Sequence, residues 1–130
     1  MATNAAVTVD TLKLLLEAFN RHDLDAIMEF FTDDCVMDMP RGPGPSGLLC
    51  EGRDAVRNGI AMRFEGLPDA HYGEDSHWVL GDFGVSEWTL TGMQRSGERL
   101  NVRGCDHFTF RDGKIKVKNS FWKIIDPGTG

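Results

Sequence analysis

The sequence predicts an α+β domain with helices on one face of a curved antiparallel sheet. Two observations predict it. Apolar residues recur with helical spacing up to about residue 65, and beyond residue 70 the period changes to two. Helices first and then a meander is the order of an α+β fold. With 130 residues, the chain has enough material for one core and too little for two. It is read as a single domain over 1–130 with its core at about 8–126.

The first helix lies in "VDTLKLLLEAFNRHD". Leu12, Leu15, Leu16 and Phe19 form one apolar stripe, and Thr8 or Asp10 caps the start. Asp23 caps a second short helix, "LDAIMEFF", with Leu24, Ile27, Phe30 and Phe31 apolar. "CVMDM" alternates as a short strand, with Cys35, Met37 and Met39 on one side and Val36 and Asp38 on the other. "PRGPGPSG" is a loop, because its prolines and glycines sustain neither ladder nor helix. "GRDAVRNGIAMRF" is a third helix with Val56 and Ile60 inward; Gly52 and Gly59 weaken the definition of its ends.

Strands follow in "HWVL" and "VSEWTLTGM", which flank the turn "GDFG". "RSGE" leads to "RLNVRGCDHFTFR", and Asp112-Gly113 then makes a hairpin to "KIKVKNSFWKII". In the last strand Ile115, Val117 and Phe121 form one apolar set, and Trp122 and Ile124 lie on the other side. A strand apolar on both faces is buried on both, which in one small domain implies a partner chain. The final "PGTG" is expected to fray.

Composition narrows the function. The net charge is −6 and no Lys/Arg cluster stands out, which argues against nucleic acid and anionic membranes as partners. No apolar run approaches the length of a membrane span, and the start lacks the features of a signal peptide, so the expected location is the cytoplasm. Cys35, Cys50 and Cys105 are odd in number and widely spaced, which fits reduced apolar residues and no disulfide framework. The spacings HExxH, GxSxG and GxxxxGK[ST] are missing, and neither a metal nor a cofactor is expected.

The stretch that points to chemistry is "GCDHFTF". Period two puts Gly104, Asp106, Phe108 and Phe110 on one face and turns His107 outward. A carboxylate among phenylalanines must be paired, kept neutral, or lining a cavity.

"FNRHDLDAIMEFFTDDCVM" and "GCDHFTFRDGKI" resemble the helix–turn–helix–strand and third-strand segments of the nuclear transport factor 2-like superfamily, and within it ketosteroid isomerase and the SnoaL-like cyclases. The resemblance spans nearly the whole chain. It implies a cystatin-like, cone-shaped sheet with the three N-terminal helices on its concave face and an apolar pocket between them. It also implies a homodimer through the outer sheet face.

Asp106 matches the protonated Asp that helps ketosteroid isomerase bind an oxyanion. The resemblance thus implies a partly protonated Asp106 acting as acid or oxyanion donor. The family's tyrosine falls at Leu15, and the only tyrosine, Tyr72, precedes the predicted strands. The family's base falls at Met39, with Asp38 beside it. Alternation turns Asp38 away from the pocket, and a bulge beside "MPRG" would turn it inward. Asp38, His77 and water are therefore the candidate bases. Limonene-type epoxide hydrolases use an Arg and two Asp where this chain has Trp88, Leu90 and Ser120, which sets that activity aside.

Trp88, Phe108, Met39, Leu15, Ser120, Trp122 and Lys118 are the candidate substrate-binding residues. Lys118 and Ser120 share a face with Trp122; if it is inward, Lys118 meets Asp106 or a ligand anion, and if outward it is a solvated strand end. The expected function is a cofactor-independent isomerase, cyclase or dehydratase acting on a small, mostly apolar carbonyl compound. The alternative is a non-catalytic module of the same fold that binds a small molecule or a second chain.

Overall fold

A computed structural model describes residues 6–126; the expected fraying at 127–130 lies outside the described residues. Helix α1 spans Val9–Asn20 and opens on a capping box. The Thr8 hydroxyl accepts from the Thr11 N–H at 3.3 Å, and the Thr11 hydroxyl accepts from the Thr8 N–H at 3.1 Å. The stripe of Leu12, Leu15, Leu16 and Phe19 is buried, as its spacing dictates. Helix α2, Leu24–Met28, is capped by Asp23. It stops short of Phe30 and Phe31, because Phe31 pairs with Ile115 and opens strand β1, Phe31–Asp38. Here sheet pairing outweighs local helical periodicity.

Strand β2, Leu49–Glu51, pairs with β1; three residues are too few for alternation to reveal it. Helix α3 follows at Arg53–Gly66. Gly59 sits in its middle for a packing reason. A Cβ there would lie 2.7 Å from Met37 Cε and 3.1 Å from Cys50 Sγ. Glycine thus lets α3 settle onto β1 and β2. Strands β3 (His71–Leu80), β4 (Phe83–Met93), β5 (Arg99–Arg111) and β6 (Lys114–Trp122) complete the chain. Asp112 and Gly113 both have positive φ, 53° and 76°. The predicted hairpin requires this.

The six strands form one curved, unclosed sheet in the order β2-β1-β6-β5-β4-β3. It is mixed rather than purely antiparallel, since β1 runs parallel to β6. The helices' apolar stripes and the concave face of this sheet share one core. All three cysteines are free. No helix among the described residues is long and apolar enough to cross a membrane.

Two bulges decide which residues face that core. Between the pairs Gly73–Thr89 and Ser76–Glu87, β3 has two residues where β4 has only Trp88. Glu74 takes φ 49° there. The extra residue lets both Tyr72 and His77, five positions apart, face inward. In β6, Val117 pairs with Thr109 and Ile115 with Phe110, so Lys116 is the extra residue. Ile115 is therefore buried while Val117 and Phe121 face outward. The expected set of Ile115, Val117 and Phe121 on one face is split by this bulge.

Candidate active site

A polar row crosses the concave face. His77 on β3 pairs with Ser86 on β4, Ser86 with Asp106 on β5, and Asp106 with Ser120 on β6. Paired residues share a face, so these four side chains lie side by side.

Asp106 is only 5% exposed, yet it is not alone. The Trp88 indole Nε1 donates to Oδ2 at 3.0 Å, and the Ser120 hydroxyl donates to Oδ1 at 2.6 Å. Lys118 Nζ lies 3.2 Å from Oδ1 and donates to Ser120 Oγ at 2.8 Å. A carboxylate on an apolar face is tolerable because a cation and two neutral donors replace its water. Pairing is thus how the fold accommodates this acid, and both of its oxygens are acceptors.

Gly104 makes room for this cluster. It stands between Trp88 on β4 and Trp122 on β6, and a Cβ there would lie 2.6 Å from the Trp88 ring and 2.5 Å from the Phe121 carbonyl oxygen. The missing side chain lets the indole lie over β5 with its N–H aimed at Asp106.

Two spaces flank the cluster. The larger, about 30 Å³, is walled by Met37, Met39 and Pro40, by Gly59, Ile60 and Arg63 of α3, and by Phe19, Tyr72, Trp88, Lys118, Ser120 and Trp122. The smaller, about 10 Å³, lies under α1 between Leu12, Leu15, Leu16 and Phe19, and is shared by Tyr72, Ser86, Asp106, Phe108 and Lys118. Each is of a size for water. Asp106 faces the smaller space. Lys118 and Tyr72 face both.

Tyr72 packs edge-on against Trp88 at 4.9 Å and Phe19 at 5.7 Å. Asn20 of α1 clamps its backbone, accepting from the Tyr72 N–H at 2.8 Å and donating to its carbonyl at 3.0 Å. Burial pushes the Tyr72 phenol well above its ordinary value, and the nearby Arg63 guanidinium only partly opposes this. The phenol stays a neutral donor. Burial also pulls Arg63 below the ordinary guanidinium range, and the nearby Arg41 adds to this while Tyr72 opposes it.

Among the sequence-predicted residues, Asp106, Trp88, Ser120 and Lys118 form the cluster. Met39 and Trp122 line the larger space, and Phe108 and Leu15 the smaller. His77 borders neither. Its side chain is 1% exposed, with Nδ1 2.7 Å from Ser86 Oγ and Nε2 2.7 Å from Asp75 Oδ2. Asp38 also borders neither space. It sits level with Asn119, on the side of the sheet away from Met37 and Lys118. The register of β1 holds from Val36 to Asp38, so no bulge turns it inward.

Neither Tyr72 nor Arg63 is among the site residues expected from the sequence. Tyr72 is hidden because the sheet begins earlier than its alternation does, the Glu74 bulge breaking the period. Arg63 has a readable signal: it lies seven residues after Val56 and three after Ile60, on the inner face of α3.

The SnoaL-like domain model matches residues 12–117. No curated protein matches the chain. A candidate polyketide cyclase from Xanthomonas campestris pv. campestris is 21% identical with a TM-score of 0.76, covering 86% of this chain and 87% of its own. A nuclear transport factor 2-like protein of unknown function from Burkholderia pseudomallei is 20% identical with a TM-score of 0.79, covering 95% and 92%. A protein with a ketosteroid isomerase-like fold from Catenulispora acidiphila, crystallised with trimethylamine, is 14% identical with a TM-score of 0.76, covering 87% and 85%. These likenesses establish the fold.

Proposed function

Because this chain belongs to the SnoaL-like domain family, we propose that it is a cofactor-independent isomerase or cyclase acting on a small, mostly apolar carbonyl compound. The observation that carries this reading is the placement of Asp106 one hydroxyl behind the wall of a cavity that also presents an ammonium and a neutral phenol. Enolisation needs a proton acceptor and donors for the developing oxyanion. Tyr72 and Lys118 are the donors. Asp106 takes the proton from the carbon beside the carbonyl through the Ser120 hydroxyl. It returns that proton as an acid to another carbon or oxygen. Cyclisation differs only in that the enolate carbon attacks a second carbonyl before the proton returns. His77 connects Asp106's chamber with the surface, because Ser86 lines that chamber and Asp75 is partly exposed.

The test is hydrogen–deuterium exchange at the α-carbon of small aryl ketones, followed by NMR. The wild type accelerates exchange, Asp106→Ala and Tyr72→Phe lose it, and His77→Gln slows it. No acceleration by the wild type with any ketone that binds sinks the enzyme reading.

The small volume of the larger cavity favours one second reading, a non-catalytic domain with a filled core. It gains ground if no ketone perturbs the fluorescence of Trp88 or Trp122.

We also propose that the outer sheet face pairs with a second copy of the chain. Support comes from an exposed apolar patch of Trp78, Phe83 and Phe121. His107 sits between two of these rings, 5.8 Å from Phe83 and 4.9 Å from Phe121. Light scattering then gives a dimer for the wild type and a monomer for Phe121→Glu; a monomeric wild type refutes it.

A further inference from the structure

We propose that the ligand of the larger cavity is an anion: a carboxylate on an apolar body, seated at the mouth between Arg41 and Arg63. This rests on the carbonyl-enzyme reading above and names the substrate class of that site.

Two guanidinium groups meet at the mouth. The guanidinium carbon of Arg63 lies 4.6 Å from the centroid of the Trp122 ring, and that of Arg41 lies 5.2 Å from it. Two like charges thus share one indole. None of the ion pairs among the described residues includes either arginine. Arg57, Arg103 and Arg111 do have ion pairs, with Asp25, Glu87 and Asp34, whereas among the described residues Arg21, Arg53, Arg95 and Arg99 have none; what sets Arg63 apart from these is that it lines the larger cavity. The overall charge is −6, so carboxylates are not scarce. Lys118 lines the cavity but is paired with Asp106 behind the wall, which leaves Arg63 as the lining cation with no ion pair among the described residues.

The two arginines do not share one environment. Arg41 stands in the exposed loop after β1, while Arg63 faces the cavity from α3, where Tyr72 also lines the wall. A half-desolvated guanidinium is costly without a counter-charge, and its planar fork suits a carboxylate. Stacking on Trp122 supplies part of the compensation and fixes the orientation of the fork. An anion at the mouth would complete it. The rest of such a ligand would point inward past Met37, Met39 and Ile60, and its carbonyl would point towards Tyr72 and Lys118.

The probes are 2-naphthoate and the neutral ketone 2-acetylnaphthalene, titrated into the full chain by tryptophan fluorescence. The expected result is roughly ten-fold tighter binding of the naphthoate, the scale of one hydrogen bond to a charged group. That advantage falls as salt rises, because the mouth is open to solvent. Arg63→Gln abolishes it, Arg63→Lys restores part of it, and Arg41→Gln reduces it less. Thermal melts confirm that each variant is folded. Equal binding of the two probes, or an advantage that survives Arg63→Gln, overturns the inference. If the ketone binds and undergoes exchange while the naphthoate does not bind, this inference falls and the enzyme reading stands. If neither binds, both fall.

Discussion

Trp88 and Asp106 are diagonal neighbours on adjacent strands, and the indole N–H of Trp88 donates to the Asp106 carboxylate at 3.0 Å. The contact depends on Gly104, whose missing side chain gives the indole its place. It converts Trp88 from a core residue into a partner of the buried acid.

Trp88→Phe keeps most of the ring volume and removes the donor. One buried carboxylate oxygen then lacks a partner, at a cost of about 1–3 kcal/mol. Gly104→Ala forces a methyl group into the ring and the Phe121 carbonyl. Overpacking of this kind costs about 1–3 kcal/mol. Urea denaturation measures both. A neutral Gly104→Ala would mean that the indole does not lie where the cluster needs it.

Asp106 and Lys118 stabilise the fold only as a pair. Asp106→Ala or Lys118→Met alone strands a buried charge and costs about 3–5 kcal/mol. The double variant is expected to be more stable than either single one. A double-mutant cycle checks this, and additive losses would show that the two charges do not interact.

Tyr72→Phe preserves the edge-on packing against Trp88 and Phe19. In the proposed reaction it removes one oxyanion donor, so about 100-fold of turnover is expected to be lost with little change in stability. The phenol itself reports burial. Its folded value is raised above the unfolded value of about 10. The stability it contributes is therefore complete below about pH 10 and is lost as pH rises through the folded value. Because the chain has one tyrosine, tyrosinate absorbance is expected to appear only with unfolding. Ionisation near the unfolded value in the folded protein would show that Tyr72 is solvated.

Asp34 on β1 is exposed, and Arg111 on β5 holds its carboxyl well below the usual carboxylate range, through a hydrogen bond first and charge second. The folded value is depressed, so the contribution is present above the unfolded value of about 3.9 and is lost as pH falls through the folded one. Asp34→Asn should melt lower than the wild type at neutral pH. The gap should close on acidification and narrow in high salt. A gap independent of pH would assign the effect to something other than charge.

Some of the site is readable without the fold. "GCDHFTF" places Asp106 on an apolar strand face because period two is a property of the backbone itself. Lys118 and Ser120 stay open between an inward and a solvated face, and the structure turns them inward beside Asp106. Asp38 shows the opposite limit. Alternation already turns it away, but only the observed register of β1 with β6 excludes the bulge that would bring it back. Alternation also leaves Tyr72 in a loop and groups Ile115 with the wrong face. Both errors come from bulges, which change the parity of a strand without leaving a mark in its pattern.

The sequence by itself determined the order of the elements other than β2, the Asp23 cap of α2, the Asp112-Gly113 hairpin and the apolar stripes of the helices, and it narrowed the α1 cap to Thr8 or Asp10. These depend on neighbours within a few residues. The tertiary structure alone decided that β1 lies parallel to β6 and that Trp88, Ser120 and Lys118 converge on Asp106. It also decided that Tyr72 and Arg63 meet at one cavity. Those contacts join residues far apart in the chain, and their geometry is set by strand register and by single inserted residues, which local patterning does not encode.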